Sequence, residues 1–353
     1  MTDSIIIRTT GQIGHITLNR PEALHALNME MCSAILAQLK IWQEDPAIAA
    51  VILDHVEGSR GFCAGGDIAM LRRSGLADGA EARNFFACEY RLNALINAYE
   101  KPLLAFIDGV TMGGGVGLSV HGSYRIATER TLFAMPETGI GLFPDVGGGW
   151  FLPRLEGELG VWLALTGARL KGPDVVAAGI GTHFVPSQKL PELKADIVRI
   201  SDAGSIFEKI DALLARWSQP VGAPDYAAHL SDINICFSAD TAEEIVKALT
   251  ESSSDWAREQ AEIISTRSPE TVKVTLRQLR EGAKCASFEE NMAMEYRIGW
   301  RKISSPDFIE GVRAVIIDKD HKPVWCPDQL ENVSAEAVAA YFETLGDDEL
   351  TFN

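Results

Sequence analysis

The sequence predicts an α/β fold with parallel strand pairing that runs into a mainly helical C-terminal region. Two runs, "AAVILD" (49–54) and "LLAFIDG" (103–109), are short and apolar throughout instead of alternating. That is the pattern of strands covered on both faces. Segments of helical period separate the strands, and such alternation marks a layered core. Beyond about Gly157 the pattern turns almost wholly helical.

In chain order, "SIIIRTTGQIGHITLNRP" (4–21) reads as a hairpin. β-Branched runs flank a Gly-Gln-Ile-Gly turn, and Pro21 closes the second strand. A helix opens near Asn28, with Ile35, Leu39 and Trp42 on one stripe and Pro46 just past its end. The first apolar strand follows, then a glycine-rich loop, "GSRGFCAGGD" (58–67). A helix is expected from about Glu81 to Tyr99, and Pro102 resets the chain before the second apolar strand. After "VTMGGGVGLSVHG" (110–122) come two strand-like pieces, "YRIAT" (124–128) and "TLFAM" (131–135). Four later segments read as helices, at 157–167, 242–252, 254–265 and 268–283, with Asp, Ser or Thr near their starts. The expected division is a core over 1-200 and a helical region over 201-353, with no internal repeat.

The chain has 353 residues, 46% of them apolar, which suffices for a sizeable core and argues against wholesale disorder. Its net charge of −17 excludes a nucleic-acid backbone or an anionic membrane as the main partner. Six scattered cysteines without a C-x-x-C pair read as free thiols in a reducing compartment. The first residues enter β-like alternation at once and no apolar run nears the ~18 residues that span a bilayer. A cytoplasmic location is therefore expected.

Three glycine clusters stand out: "CAGGD" (63–67), "MGGGVG" (112–117) and "DVGGGW" (145–150). Taken singly, each is better explained by a turn, because glycine supplies positive φ and close backbone approach. Two of them lie just after a buried strand and just before a helix-like stretch. Amides there lack partners, and one from each loop would converge on a single oxygen to make an oxyanion hole. No cluster spells G-x-G-x-x-G, G-x-x-x-x-G-K-[ST] is absent, and the seven histidines are dispersed, so neither a nucleotide nor a zinc site has support. "GLSVHG" (117–122) puts His121 where a G-x-S-x-G nucleophile motif needs glycine. His121 fits a packed core residue better than a base.

The segment "FAMPETGIGLFPDVGGGWFLPRL" (133–155) holds two acids, Glu137 and Asp145, among Phe133, Met135, Ile140, Leu142, Phe143, Val146, Trp150 and Phe151. Glu137 fits the first turn of a helix and Asp145 a cap or turn. In so apolar a setting each is otherwise paired or kept for chemistry.

"FCAGGD", "MGGGVGLS" and "MPETGIGLFPDVGGGWFLPRL" resemble the crotonase (enoyl-CoA hydratase/isomerase) superfamily, over about the first 190 residues. The last of these, with "MEYRIGWRKISSPDFIEGVRAVIIDKDHKPVWCP" (294–327), is similar to the 3-hydroxyisobutyryl-CoA hydrolase branch and extends the likeness along almost the whole chain. The resemblance implies a spiral of ββα units, an acyl-CoA substrate, no separate cofactor and no metal. It implies oxyanion-hole amides at Gly66 and Gly114, a catalytic Glu137, a working Asp145 and a substrate-lining Glu89. Relatives are often trimers or hexamers, so a homo-oligomer is expected.

One departure bears on the reaction. Hydratases of this superfamily keep their first glutamate in a G-G-G-x-E pattern, and that position here is Gly117. Adding water across a double bond needs a base and an acid held close together. Without the first glutamate, thioester hydrolysis is expected through Glu137 and Asp145, as a step of valine catabolism. An enoyl-CoA isomerase or atypical hydratase is the alternative; a non-catalytic CoA-binding protein and a nicotinamide-dependent dehydrogenase fit less well.

Overall fold

In the computed structural model, which describes residues 3–200 and 205–352, the chain divides into two units that interleave along the sequence. The first takes residues up to Gly66, Arg91–Phe133 and Leu170–Asp225; the second takes Asp67–Tyr90, Ala134–Arg169 and residues from Tyr226 onward. The expected segments 1-200 and 201-353 follow one another instead, and their boundary falls at 201–204, outside the described residues.

The first unit holds the strands. β1 (Ile5–Thr10) and β2 (Ile13–Leu18) form the expected hairpin, pairing Thr10 with Ile13 across a two-residue turn in which Gly11 has φ +58°. Only that positive φ makes a turn so short compatible with the strand twist. β3 (Ala50–His55), β4 (Gly61–Cys63), β5 (Leu103–Ile107), β6 (Val110–Met112), β7 (Tyr124–Ala127), β8 (Leu132–Ala134), β9 (Leu170–Lys171) and β10 (His183–Phe184) follow. One sheet has the order β1-β2-β3-β5-β7-β10 and the other β4-β6-β8-β9. In the larger sheet every pairing after the hairpin is parallel, with Ile13 beside Ala50, Val51 beside Leu103 and Leu104 beside Tyr124. β3 and β5 are buried at every residue, which is why they read as unbroken apolar runs.

Two of the glycine-rich stretches of the sequence, 58–67 and 110–122, contain a strand. β4 and β6 pair in parallel, and a side chain at Gly61 would sit 2.7 Å from the Val110 nitrogen. The close approach puts glycine inside a three-residue strand, so composition reads it as loop.

Helices cover the large sheet. Ile13, Ile52, Leu104 and Phe106 pack with Leu193 and Ile197 of helix Leu190–Val198 and with Ile210 and Leu214 of helix Ile206–Trp217. The second of these helices lies beyond residue 200 yet belongs to the unit of the sheets. Helix Met29–Glu44 begins where expected: the Asn28 side chain accepts from the Met31 N–H, and Ile35, Leu39 and Trp42 are buried.

The second unit is helical. Helices Ala242–Glu251, Asp255–Ser265, Pro269–Gly282 and Phe288–Lys302 each start at a Ser or Thr whose side chain accepts from an amide of the first turn. Helix Pro269–Gly282 packs on helices Gly148–Phe151 and Leu159–Thr166. A side chain at Gly282 would come within 2.0 Å of the Gly149 carbonyl oxygen, so that contact is backbone on backbone. Among the described residues no helix is long and apolar enough to cross a membrane.

The packing separates two isoleucines. Ile210 is fully buried against the sheet, whereas Ile41 is 60% exposed. Ile210→Ala should cost about 2–5 kcal/mol of unfolding free energy. Ile41→Ala should stay within about 0.5 kcal/mol. Urea denaturation of the two variants checks both.

Candidate active site

In the first unit, Gly66 follows β4 and Gly114 follows β6. The Leu27 N–H donates to the Gly65 carbonyl at 2.8 Å and Leu27 bridges Gly66 in parallel, which pins the first loop. Gly65 has φ +119°, and a side chain there would meet the Met112 oxygen at 3.7 Å and the Gly114 nitrogen at 3.9 Å. A side chain at Gly115 would be driven to 2.3 Å from the Cys63 carbonyl oxygen. The two loops therefore lie backbone against backbone. Gly114 opens the short helix Gly114–Gly117, where a first-turn amide has no partner within the helix. Among the described residues neither the Gly66 nor the Gly114 N–H donates a hydrogen bond. The expected pair of amides is thus adjacent and unspent. His121 sits in a half-buried turn rather than in the packed core.

In the second unit, the acids of the apolar segment are buried with Glu89. Glu89 is 2% exposed, and Glu137 and Asp145 are 6% exposed. Glu137 starts a one-turn 3-10 helix, Glu137–Ile140, and its side chain caps nothing. Its Oε2 is buried without a hydrogen-bond partner, as is Oε1 of Glu89. Asp145 does not cap either: its carbonyl takes the Gly148 N–H at 2.8 Å, while its carboxylate accepts from the Tyr90 hydroxyl at 3.0 Å. The helix Ala80–Asn97 carries Glu89 and Tyr90, and Tyr90 is locked by stacking on Phe86 and edge contact with Tyr296.

Burial controls the protons here. Loss of water raises the Glu137 pKa well above the ordinary carboxyl range, and the Asp145 charge raises it further. The same two causes, in the same order, hold Glu89 protonated. Asp145 is also raised by burial, to about 7, with the Tyr90 hydrogen bond opposing the rise. Among the described residues none of these three carboxyls forms an ion pair. The first proton to leave is therefore that of Asp145, the acid with a donor of its own.

Tyr90 and Glu295 are components that the sequence did not single out. Glu295 is fully buried and accepts from the Gly147 and Gly149 amides, both at 2.8 Å. Asn291 and Gln278 donate to its Oε1 at 2.9 and 3.2 Å. Tyr90 directly follows Glu89, which was a usable signal. Glu295 is about 150 residues from the glycines it holds, and nothing local marks it. Among the described residues no group of three or more His, Cys, Asp and Glu is arranged to hold a metal ion.

Residues 13–342 match the family described as enoyl-CoA hydratase/isomerase. A Xenopus tropicalis protein described as 3-hydroxyisobutyryl-CoA hydrolase, mitochondrial, is 49% identical over 98% of this chain and 90% of its own length. The Homo sapiens protein of the same description is 46% identical over 99% of this chain and 91% of its own. Among solved structures, a carnitinyl-CoA dehydratase from Mycobacterium thermoresistibile superposes with a TM-score of 0.92 at 40% identity, covering 99% of each chain. An enoyl-CoA hydratase from Rhodobacter sphaeroides 2.4.1 gives 0.90 at 38% identity, covering 99% of this chain and 100% of that one.

The raised acids have a measurable consequence for stability. The unfolded chain releases the Asp145 proton near pH 4 and the folded one only at about 7, so the folded state binds more protons between those values. Stability therefore falls across that window and levels off above it. Asp145→Asn removes this contribution. The variant's stability minus that of the wild type should grow as pH rises from about 4 to about 7, by on the order of a few kcal/mol, then stay flat. Thermal unfolding at a series of pH values checks the sign.

Proposed function

The chain belongs to the enoyl-CoA hydratase/isomerase family, and from that premise we propose that it hydrolyses 3-hydroxyisobutyryl-CoA to 3-hydroxyisobutyrate and CoA, a step of valine breakdown. The fold is the expected crotonase-like α/β fold with a helical C-terminal region. Near-full-length likeness to relatives described by that hydrolase activity supports the reading. The observation that carries it is the distribution of acids. Helix Gly114–Gly117 has no carboxylate, and the buried acids are Glu89, Glu137 and Asp145. A hydratase needs a carboxylate where Gly117 stands; a hydrolase does not.

In this mechanism the Gly66 and Gly114 amides polarise the thioester carbonyl and stabilise its oxyanion; each such donor is worth roughly 10²–10³ in rate. The C–S bond breaks and the CoA thiolate takes a proton, while water supplies the oxygen that ends on the acyl carbon by direct attack or on Glu137 by way of an anhydride. Glu137, once ionised, either attacks the carbonyl to form a mixed anhydride or draws the proton from water. Asp145 binds the substrate 3-hydroxyl or orients the water, and Glu89 supports it. Single turnover in ¹⁸O-water separates the routes: label in Glu137 means the anhydride, and label passing straight into product eliminates it.

No separate cofactor enters this scheme, CoA being part of the substrate. Among the described residues none of the six cysteines forms a disulfide, in keeping with a reducing compartment such as the cytoplasm; the vertebrate relatives are described as mitochondrial. A homo-oligomer, a trimer or hexamer, belongs to the same proposal and is read by light scattering.

Incubation with 3-hydroxyisobutyryl-CoA and, separately, with crotonyl-CoA tests the reaction, with products separated by chromatography. Free CoA should come only from the hydroxy-thioester. Glu137→Gln should lower kcat by about 10²–10⁴-fold. Hydration of crotonyl-CoA without release of CoA would overturn the reading and make the alternative, a hydratase with an unfamiliar acid pair, the correct one.

The pH profile adds a second test. Glu137 must ionise to act, and both burial and the Asp145 charge resist that. The value of kcat/KM should therefore rise with pH through and above 7, the apparent pKa belonging to the pair. Asp145→Asn deletes one of the two causes. Its residual activity should show the same limb displaced to lower pH.

A further inference from the structure

We propose that Glu295 is a positioning residue for the hydrolytic step, fixing the direction of Asp145 by gripping the backbone just beyond it. The inference rests on the hydrolase reading above.

The geometry is a clamp around one acid. Gln278 Nε2 donates to the Pro144 carbonyl at 2.7 Å, on the near side of Asp145, and to Glu295 Oε1 at 3.2 Å. On the far side, Glu295 Oε2 takes the Gly147 N–H and Oε1 takes the Gly149 N–H. Asn291 completes the set on Oε1. The backbone on either side of Asp145 is thus tied to neighbouring helices, while its carboxylate takes the Tyr90 hydroxyl. The aim of that carboxylate follows from where the clamp puts its Cα.

The turn being held is one the chain resists. Val146 has φ +51° and Gly147 φ +89°. A β-branched residue in the left-handed region costs on the order of 1–3 kcal/mol and persists only where its surroundings over-determine it. The Glu295 carboxylate supplies that determination. Its two oxygens take the Gly147 and Gly149 amides and the Asn291 and Gln278 side-chain amides. A glutamine of the same shape would turn an NH₂ toward one of those donors. Packing alone would be served equally by an apolar side chain, which would avoid desolvating a carboxyl group. Gly149 is fixed by the same contact: a side chain there would lie 2.6 Å from Asn291 Oδ1 and 3.1 Å from Glu295 Oε1.

The test is a double-mutant cycle in the full chain, Glu295→Gln crossed with Asp145→Asn, followed by kcat and KM for 3-hydroxyisobutyryl-CoA. Glu295→Gln should lower kcat by about 10–100-fold in the wild-type background, as loss of orientation does, with KM within about threefold. In the Asp145→Asn background the same change should cost less than about threefold, because the group it aims is already gone. Equal losses in both backgrounds would mark Glu295 as merely structural and overturn the proposal, as would an unchanged kcat. If Glu295→Gln does not accumulate as folded protein, Gln278→Met, which cuts the bonds to Pro144 and Glu295, takes its place in the same cycle. A wild type that releases no CoA sinks the hydrolase reading instead, and the cycle is then read on the hydration of crotonyl-CoA with the same criteria.

Discussion

Withdrawal of carboxyl groups from water is the constraint on which the helical unit depends. Glu89, Glu137, Asp145 and Glu295 are all buried, and among the described residues none is neutralised by a cation. Each responds in the only ways open to it. Glu89 and Glu137 keep their protons. Asp145 takes one strong donor and is left titrating at about 7. Glu295 gathers two amides and two side-chain amides, yet burial still raises it to about 8. Four acids of one residue class are thereby sorted into distinct states by what surrounds them.

The sheet unit answers to a different constraint, steric rather than electrostatic. A side chain at Gly115 would strike the Cys63 carbonyl, and one at Gly109 would lie 2.5 Å from the Arg60 carbonyl. Contacts that close let β4 and β6 pair and bring their trailing loops side by side. The unspent Gly66 and Gly114 amides follow from that approach. Preorganised donors of this kind need no rearrangement when charge develops on an oxygen.

Much of this was legible in the chain. The hairpin, the Asn28 cap, β3, β5 and the helices Ala242–Glu251, Asp255–Ser265 and Pro269–Gly282 are where periodicity and capping put them, because each carries its signal within its own segment. The glycine amides and the acids of the apolar segment were legible as residue types in an improbable setting. What escaped is non-local. β4 and β6 have three residues and contain or adjoin glycine, so their pairing outweighs a composition that reads as loop. Helix Ile206–Trp217 is amphipathic like its successors, and only its contact with Ile52 and Phe106 assigns it to the sheet. Glu295 looks like any acid on an amphipathic helix until Gly147 and Gly149 come to meet it.

Gly117 ties the two constraints together. The helix that it ends is buried at every residue. A glutamate there would be a buried carboxyl in need of a partner of its own. With glycine, the loop offers only its amides, which in the proposed mechanism serve an acyl oxygen. In the proposed mechanism proton transfer falls to Glu137 and Asp145, and the Asp145 charge adds to the burial that raises Glu137. Such a pair ionises one member at a time. One carboxylate facing one activated carbonyl is enough to cleave a thioester. Stereospecific addition across a double bond asks for a base and an acid poised together, and that requirement is what the glycine gives up.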